Sequence, residues 1–302
     1  MRQDETGDYW QKRYILQAGD VNGVLSEIRQ IVLLIAPDCD YSLLEKAGHD
    51  LIRLFNGDFP GFGASNTKYH DLNHTCAVAL ALVRLAHGMH VSGRQVSTRV
   101  LELGVLAAFF HDAGLLPDAH DHEGTGAKHM IGHEQRSIAI MSDYLASHDR
   151  SPAAIRDCSL MIDCTNLQLS PEDLVFDDEE VKIMGFILGT ADLIAQMGDP
   201  CYLEKLPLLY MEFQEAGIAG YESALDLFKK TKEFHHRVVL KRFHEYFKKV
   251  IRYMPHHFQA RWGIDEDLYE TSIQNQIQYL QMIVAACQDS YSCLLASLQR
   301  KI

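Results

Sequence analysis

Apolar residues recur at three- and four-residue intervals along almost the whole chain, the spacing that gathers them on one side of an α-helix. The pattern predicts amphipathic helices over 21–36 and 41–56, parted by Pro37 and Asp38. A loop follows at 57–65, carrying Asp58, Pro60, Gly61 and Gly63. The next helix is expected to start at the capping residues Asn66 or Thr67 and to run to about residue 90. A strongly apolar and therefore central helix is expected over 97–114. Beyond a loop at 118–126, helices are expected over 129–148, 152–164, 178–198 and 202–216. Two long helical stretches, 221–254 and 267–300, close the chain. No segment alternates as a strand would, and neither an internal repeat nor a low-complexity linker divides the sequence. The expectation is one all-α domain over 1–302, with the chemistry at about 66–200 and helices 220–302 as an extension.

Composition narrows the classes of function. The chain has 302 residues, 47% of them hydrophobic, enough to bury a sizeable core and too many for a disordered chain. Lys+Arg 28 minus Asp+Glu 41 gives −13. Such a chain is not expected to bind nucleic acid or an anionic membrane, since both require positive potential. A phosphate substrate would need a local cation. The longest apolar runs fall far short of the ~20 residues of a membrane span, and residues 1–10 are acidic without an apolar core, unlike a signal peptide. A cytoplasmic location is expected. The seven cysteines are odd in number and lack C-x-x-C spacing. They read as small buried thiols, with no disulfide framework or zinc knuckle.

Histidine changes the picture. Ten of the 16 lie between His70 and His148. An even spread would place about four there, and metal ligation is the chemistry that concentrates imidazoles. His70 and His74 are four apart, so on a helix they would share a face. His111 and Asp112 directly follow the apolar run 103–110, where Gly114 and Pro117 signal a helix end. Asp192 is a lone acid in a largely apolar helix, where a buried carboxylate calls for a cation. Two imidazoles and two carboxylates suit a divalent metal with open positions, not a closed structural zinc site.

This spaced H…HD…D order resembles the HD-domain metal-dependent phosphohydrolase superfamily. Within it, Tyr69-His70-x-x-x-His74 is similar to the Y-H-N-x-x-H signature of class I cyclic nucleotide phosphodiesterases. Met161 to Thr165 and Ala191-Asp192-Leu193 resemble later motifs of that family, and the likeness covers about 68–197. It implies a single HD-type, phosphodiesterase-like helical bundle. It also implies that His74, His111, Asp112 and Asp192 bind a first metal, that Asp112 bridges to a second, and that His70 protonates the leaving alkoxide. Two divalent ions (Mg, Mn, Zn or Fe) would be the cofactors, and a cyclic nucleotide or other small phosphate ester the substrate, attacked by a metal-activated hydroxide. Asp71 replaces the family's Asn, and the segment after Asp112 departs from its usual form. Extra histidines there point to His133 as first choice and His129 as second for the second metal, with His120 and His122 in a solvated loop. Asp71 or Glu134 is expected to orient His70, and Lys128 or Arg136 to contact a phosphate oxygen. The same ligands also permit a di-iron oxygenase of HD type, or a non-catalytic nucleotide-sensing module.

The C-terminal third carries lysines and arginines from Lys229 to Lys249 interleaved with aromatics. They read as one long amphipathic helix with its charges in water. His235-His236 and His256-His257 are expected on the surface. The last helix is expected to cap the domain or to pair with a second copy as a homodimer.

Overall fold

The computed structural model describes residues 20–298. Twelve α-helices are present among them: α1 (Val21–Ile35), α2 (Ser42–Phe55), α3 (Leu72–Val91), α4 (Thr98–Phe110), α5 (His133–Ser147), α6 (Pro152–Asp163), α7 (Glu179–Met197), α8 (Tyr202–Glu215), α9 (Ala224–Phe234), α10 (Met254–Trp262), α11 (Leu268–Cys287) and α12 (Tyr291–Ser297). No strand occurs among the described residues, only an isolated bridge from Phe62 to Asp118. The all-α class therefore holds, as one helical bundle.

Helix α3 is the hub and packs on α1, α4, α7 and α10. From His74 to Met89 only Ala77 escapes full burial, so neighbours cover every side of this helix. Helix α4, expected to be central, lies against it and is buried from Leu103 to Phe110. Short polar caps fix where the helices begin. Asp71, Ser97, Ser151 and Asp178 each accept a backbone N–H from the first turn of the helix that follows.

Several expectations need correction. Helix α3 starts at Leu72, so His70 lies outside it. The long helix expected over 221–254 breaks into α9, π-helical turns at His235–Val239 and Arg242–Tyr246, and a 3-10 turn at Val250–Tyr253. Lys248 and Lys249 between them take positive φ, 48° and 60°. The wider turns let Arg242 point inward, where it is buried and donates to the carbonyls of Cys164, Asn166 and Leu169 (3.2, 2.7 and 2.9 Å). The stretch expected over 267–300 breaks at Gln288 into α11 and α12, and Cys287 and Cys293 form a disulfide across that break. Cys39, Cys76, Cys158 and Cys164 are free thiols. Among the described residues no single helix is long and apolar enough to cross a membrane. Residues 1–10, read above as no signal peptide, lie outside the described residues.

His235 and His257 are also buried, whereas His236 and His256 are exposed. His257 on α10 meets His87 on α3, with Nδ1 to Nδ1 at 3.1 Å. One ring must donate and the other accept, so the bond is lost once both rings are protonated. Burial, with Arg261 beside His87 and Arg84 beside His257, lowers their pKa values to about 4 and about 2. The unfolded chain thus takes up protons first. Stability is complete above the ordinary histidine value and is lost as pH falls toward the folded values. Urea midpoints measured from pH 7 to pH 4 should fall, with up to about two protons linked to unfolding, one per histidine. A His87→Leu/His257→Leu double variant should lose most of that slope; an unchanged slope would contradict the assignment.

Candidate metal centre

The centre forms where three helix ends converge with the middle of α7. Asp71 caps α3 by accepting the His74 N–H (2.8 Å), which fixes that histidine in the first turn. His111 is the C-cap of α4, and the chain turns there so that Asp112 opens a 3-10 turn, Ala113–Leu115. Asp192 comes from α7, and His133 is the first residue of α5.

Two glycines permit this convergence. A Cβ on Gly114 would lie 2.0 Å from the His133 carbonyl oxygen, and one on Gly126 would lie 1.6 Å from that of Leu115. Only glycine lets these backbones touch, and the contact brings the start of α5 against the turn after Asp112. The Gly114 N–H donates to Ser137 Oγ (2.8 Å) and seals it.

Four side chains, from segments remote along the chain, face one another. His74 Nε2 is 3.2 Å from Asp192 Oδ1 and 3.6 Å from Asp112 Oδ2. His111 Nε2 is 3.3 Å from Asp112 Oδ2 and 3.8 Å from Asp192 Oδ1. Ligand atoms of His74, His111 and Asp112 all lie within 4.8 Å of one another, the arrangement of a cation site. Asp112 turns its other oxygen, Oδ1, toward His133 Nε2 at 3.4 Å. His129 instead approaches Asp121 (3.9 Å), so of the two candidates His133 is the one at Asp112.

Backbone carbonyls set the ring orientations. His111 Nδ1 donates to Ala108 O and His133 Nδ1 to Met130 O, both at 2.8 Å. In their neutral forms both rings therefore aim an Nε2 lone pair at Asp112, as metal-binding imidazoles do. His111 Nε2 and Asp112 Oδ2 are buried and have no hydrogen-bond partner among the described residues, despite their proximity. Orphaned polar atoms of that kind are costly unless a cation joins them. The donor set of imidazoles and carboxylates fits a borderline or hard divalent ion.

His70 stands beside this group, its ring centroid 5.7 Å from that of His74. Glu212 on α8 holds it. Oε1 accepts the N–H groups of Lys68 and Tyr69 (2.8 and 2.6 Å), and Oε2 accepts His70 Nδ1–H (2.7 Å). Neither Asp71, engaged as a cap, nor Glu134, 3.5 Å from His133 Nδ1, takes the role expected of them. A single glutamate 142 residues downstream on an ordinary amphipathic helix carries no sequence signal for this contact. Lys128 pairs with Asp121 (2.5 Å), and Arg136 donates to Gly114 O, Leu116 O and Asp118. Both tie down the loop after Asp112, and the structure does not bring them to the cluster. His120 and His122 are exposed, as expected of a solvated loop.

Charge follows from this geometry. Burial opposes protonation of His111 and His133, but the Asp112 carboxylate outweighs it and raises both to about 9. Burial would likewise raise Asp112, but His111 and His133 hold it well below the usual carboxylate range. For His70 too, burial is outweighed, here by Glu212 and Asp112, and its pKa is raised.

The fold and this cluster define an all-α protein with a buried His/Asp centre. A family model described as Npun_R2479-like matches residues 59–276, and the chain belongs to that family. No curated protein matches the chain.

Cation binding must displace the protons that His111 and His133 carry below pH 9. Titration with Zn2+ or Mn2+ at pH 7.5, in buffers of different ionisation enthalpy, should show about one to two protons released per ion. The release should shrink toward zero above pH 10. No proton release at pH 7.5 would contradict this account.

Proposed function

We propose that the chain is a metal-dependent phosphohydrolase acting on a small phosphate ester, of the HD type that its H…HD…D order resembles. The observation that carries the reading is the meeting of His74, His111, Asp112 and Asp192 around orphaned buried atoms, with His70 held beside them by a carboxylate. His74, His111, Asp112 and Asp192 would hold one divalent ion, and Asp112 with His133 a second. Such ions supply Lewis acidity and lower the pKa of a bound water from about 15.7 toward ~7.

The chain's own residues supply the rest. Asp112 offers one oxygen to each group of imidazoles, the disposition a bridging carboxylate needs. Its burial keeps it out of bulk water, where it would be screened. Glu212 fixes His70 with its proton on Nδ1 and raises its pKa, which favours the form that also carries a proton on Nε2. From there His70 would protonate a departing oxygen, and Glu212 would stabilise the imidazolium before that transfer. The acidic chain repels phosphate on average, so the centre must provide the attraction locally.

Metal analysis of the purified chain, with an anaerobic panel of bis(p-nitrophenyl) phosphate, cyclic nucleotides and nucleoside mono- and polyphosphates, tests this directly. A divalent ion and oxygen-independent hydrolysis are expected. An activity that consumes oxygen, or a chain that binds no metal, would overturn the reading. Asp112→Asn should lose both metal and turnover. His70→Ala should keep the metal and lose about 10²–10⁴ in rate. Glu212→Gln should keep the metal and shift the alkaline limb of the pH–rate profile to lower pH, because His70 then loses the carboxylate that raises its pKa.

A further inference from the structure

A second chemically reactive group closes the fold, and no residue of the metal centre takes part in it. Cys287, the last residue of α11, is joined by a disulfide to Cys293 in the first turn of α12. We propose that this bond is a redox-active modification site, opened by a dithiol reductant, and that its opening releases α12 from the bundle.

The setting makes the bond labile. Cys293 is exposed, so a reductant can approach from solvent, whereas Cys287 is buried. The two cysteines are only six residues apart, and a loop this short gives the cross-link little entropic advantage. Within that loop Gln288 holds φ 51° and ψ −116°, a conformation that glycine adopts freely and a residue with a Cβ does not. The closed loop holds the backbone there, and opening the bond lets it relax. Disulfides that are exposed or enclose strain are the readily reduced ones. Little else holds α12. Its seven residues are too few for a helix to persist alone. It is seated by Leu294, which is fully buried, and by Tyr291 against Phe228 on α9 (6.5 Å between ring centroids). Tyr279 on α11 adds one hydrogen bond, from Oη to Ser297 O (2.6 Å).

Three other thiols do not compete. Cys76, Cys158 and Cys164 are buried, and burial pushes all of them up, Cys76 to about 12, so they form little thiolate. The exchange at the disulfide balances as follows. A thiolate of the reductant attacks Cys293 Sγ and forms a mixed disulfide, the protein's S–S bond breaks, and Cys287 leaves as a thiolate that takes up a proton. The reductant's second thiol then attacks its own sulfur in the mixed disulfide and frees Cys293, which is protonated in turn. Two electrons and two protons pass to the protein, and the dithiol becomes a disulfide. Gln288 is then free to leave its strained conformation, and α12 rests on its few remaining contacts.

Treatment of the full, undenatured chain with dithiothreitol tests the proposal, whatever the metal content or activity of the centre. One sample is alkylated with iodoacetamide and mapped by mass spectrometry, and another is followed by hydrogen exchange. Alkylation is expected at Cys287 and Cys293 well before Cys76, Cys158 or Cys164. Amides of 288–297 should exchange at least about tenfold faster after reduction, with the N-terminal half of α11 unchanged. Oxidised dithiothreitol should restore slow exchange. Cys293→Ser should show the fast exchange with or without the dithiol. A bond that resists dithiothreitol until the chain is denatured would overturn the proposal, as would alkylation of the buried thiols as fast as the pair. Exchange over 288–297 that reduction or Cys293→Ser leaves unchanged, or acceleration spread over the whole of α11, would overturn it equally.

Discussion

A carboxylate at 4% exposure, set among three imidazoles, is the constraint the centre is built around. Asp112 cannot stay charged in that position alone. The desolvation of a buried ion amounts to several kcal/mol even after the protein relaxes. It is offset only by positive charge within a few ångströms, and the surrounding architecture supplies sites for that charge. Gly114 and Gly126 let three backbone segments touch so that His133 reaches one carboxylate oxygen. The end of α4 and the start of α3 bring His111 and His74 to the other. The hub helix α3 is buried on all sides, which is why its first turn is held firmly enough for the His74 ring to keep that place.

Position near helix ends explains both what the sequence disclosed and what it hid. His111-Asp112 was legible because two ionisable residues directly after an apolar run stand out, and Gly114 and Pro117 marked the turn that lets adjacent residues face one point. Asp192 was legible as a lone acid within the apolar part of its helix, 181–197, and the structure brings it to the two imidazoles. His70 and His74 come together, but not by the route their spacing suggested. Asp71 is the helix cap, a role that Asp, Asn and Ser share, so the pattern could not tell a cap from an interior position. His70 reaches the site from the chain just outside the helix, held by Glu212.

The misses share one physical cause: contacts made across the fold leave no periodic trace. Glu212 is indistinguishable in sequence from any glutamate on an amphipathic helix until α8 packs beside the loop at 126–129. Arg242 sits in a run of lysines that reads as a solvated face. A π-turn, which inserts a residue without altering composition, rotates it inward to three carbonyls. His257 lies beside an exposed twin, and only its meeting with His87 shows that it is part of the core.

The charge balance of the whole chain bears on how such a centre persists. The sequence carries −13, and the cations close to the site are engaged elsewhere: Lys128 on Asp121, Arg136 on the loop carbonyls, Arg242 on the end of α6. Positive charge at Asp112 therefore comes from the imidazoles or from an added ion. Asp112 raises the pKa of both His111 and His133, so protons on these imidazoles offset its buried charge where no ion does. The same nitrogens that serve as proton carriers become lone-pair donors once the protons leave, with no change in ring position required, because Ala108 and Met130 hold the opposite edge of each ring in either state. A proton and a divalent cation would thus answer the same electrostatic demand at the same place, so the charge of Asp112 can be balanced by either.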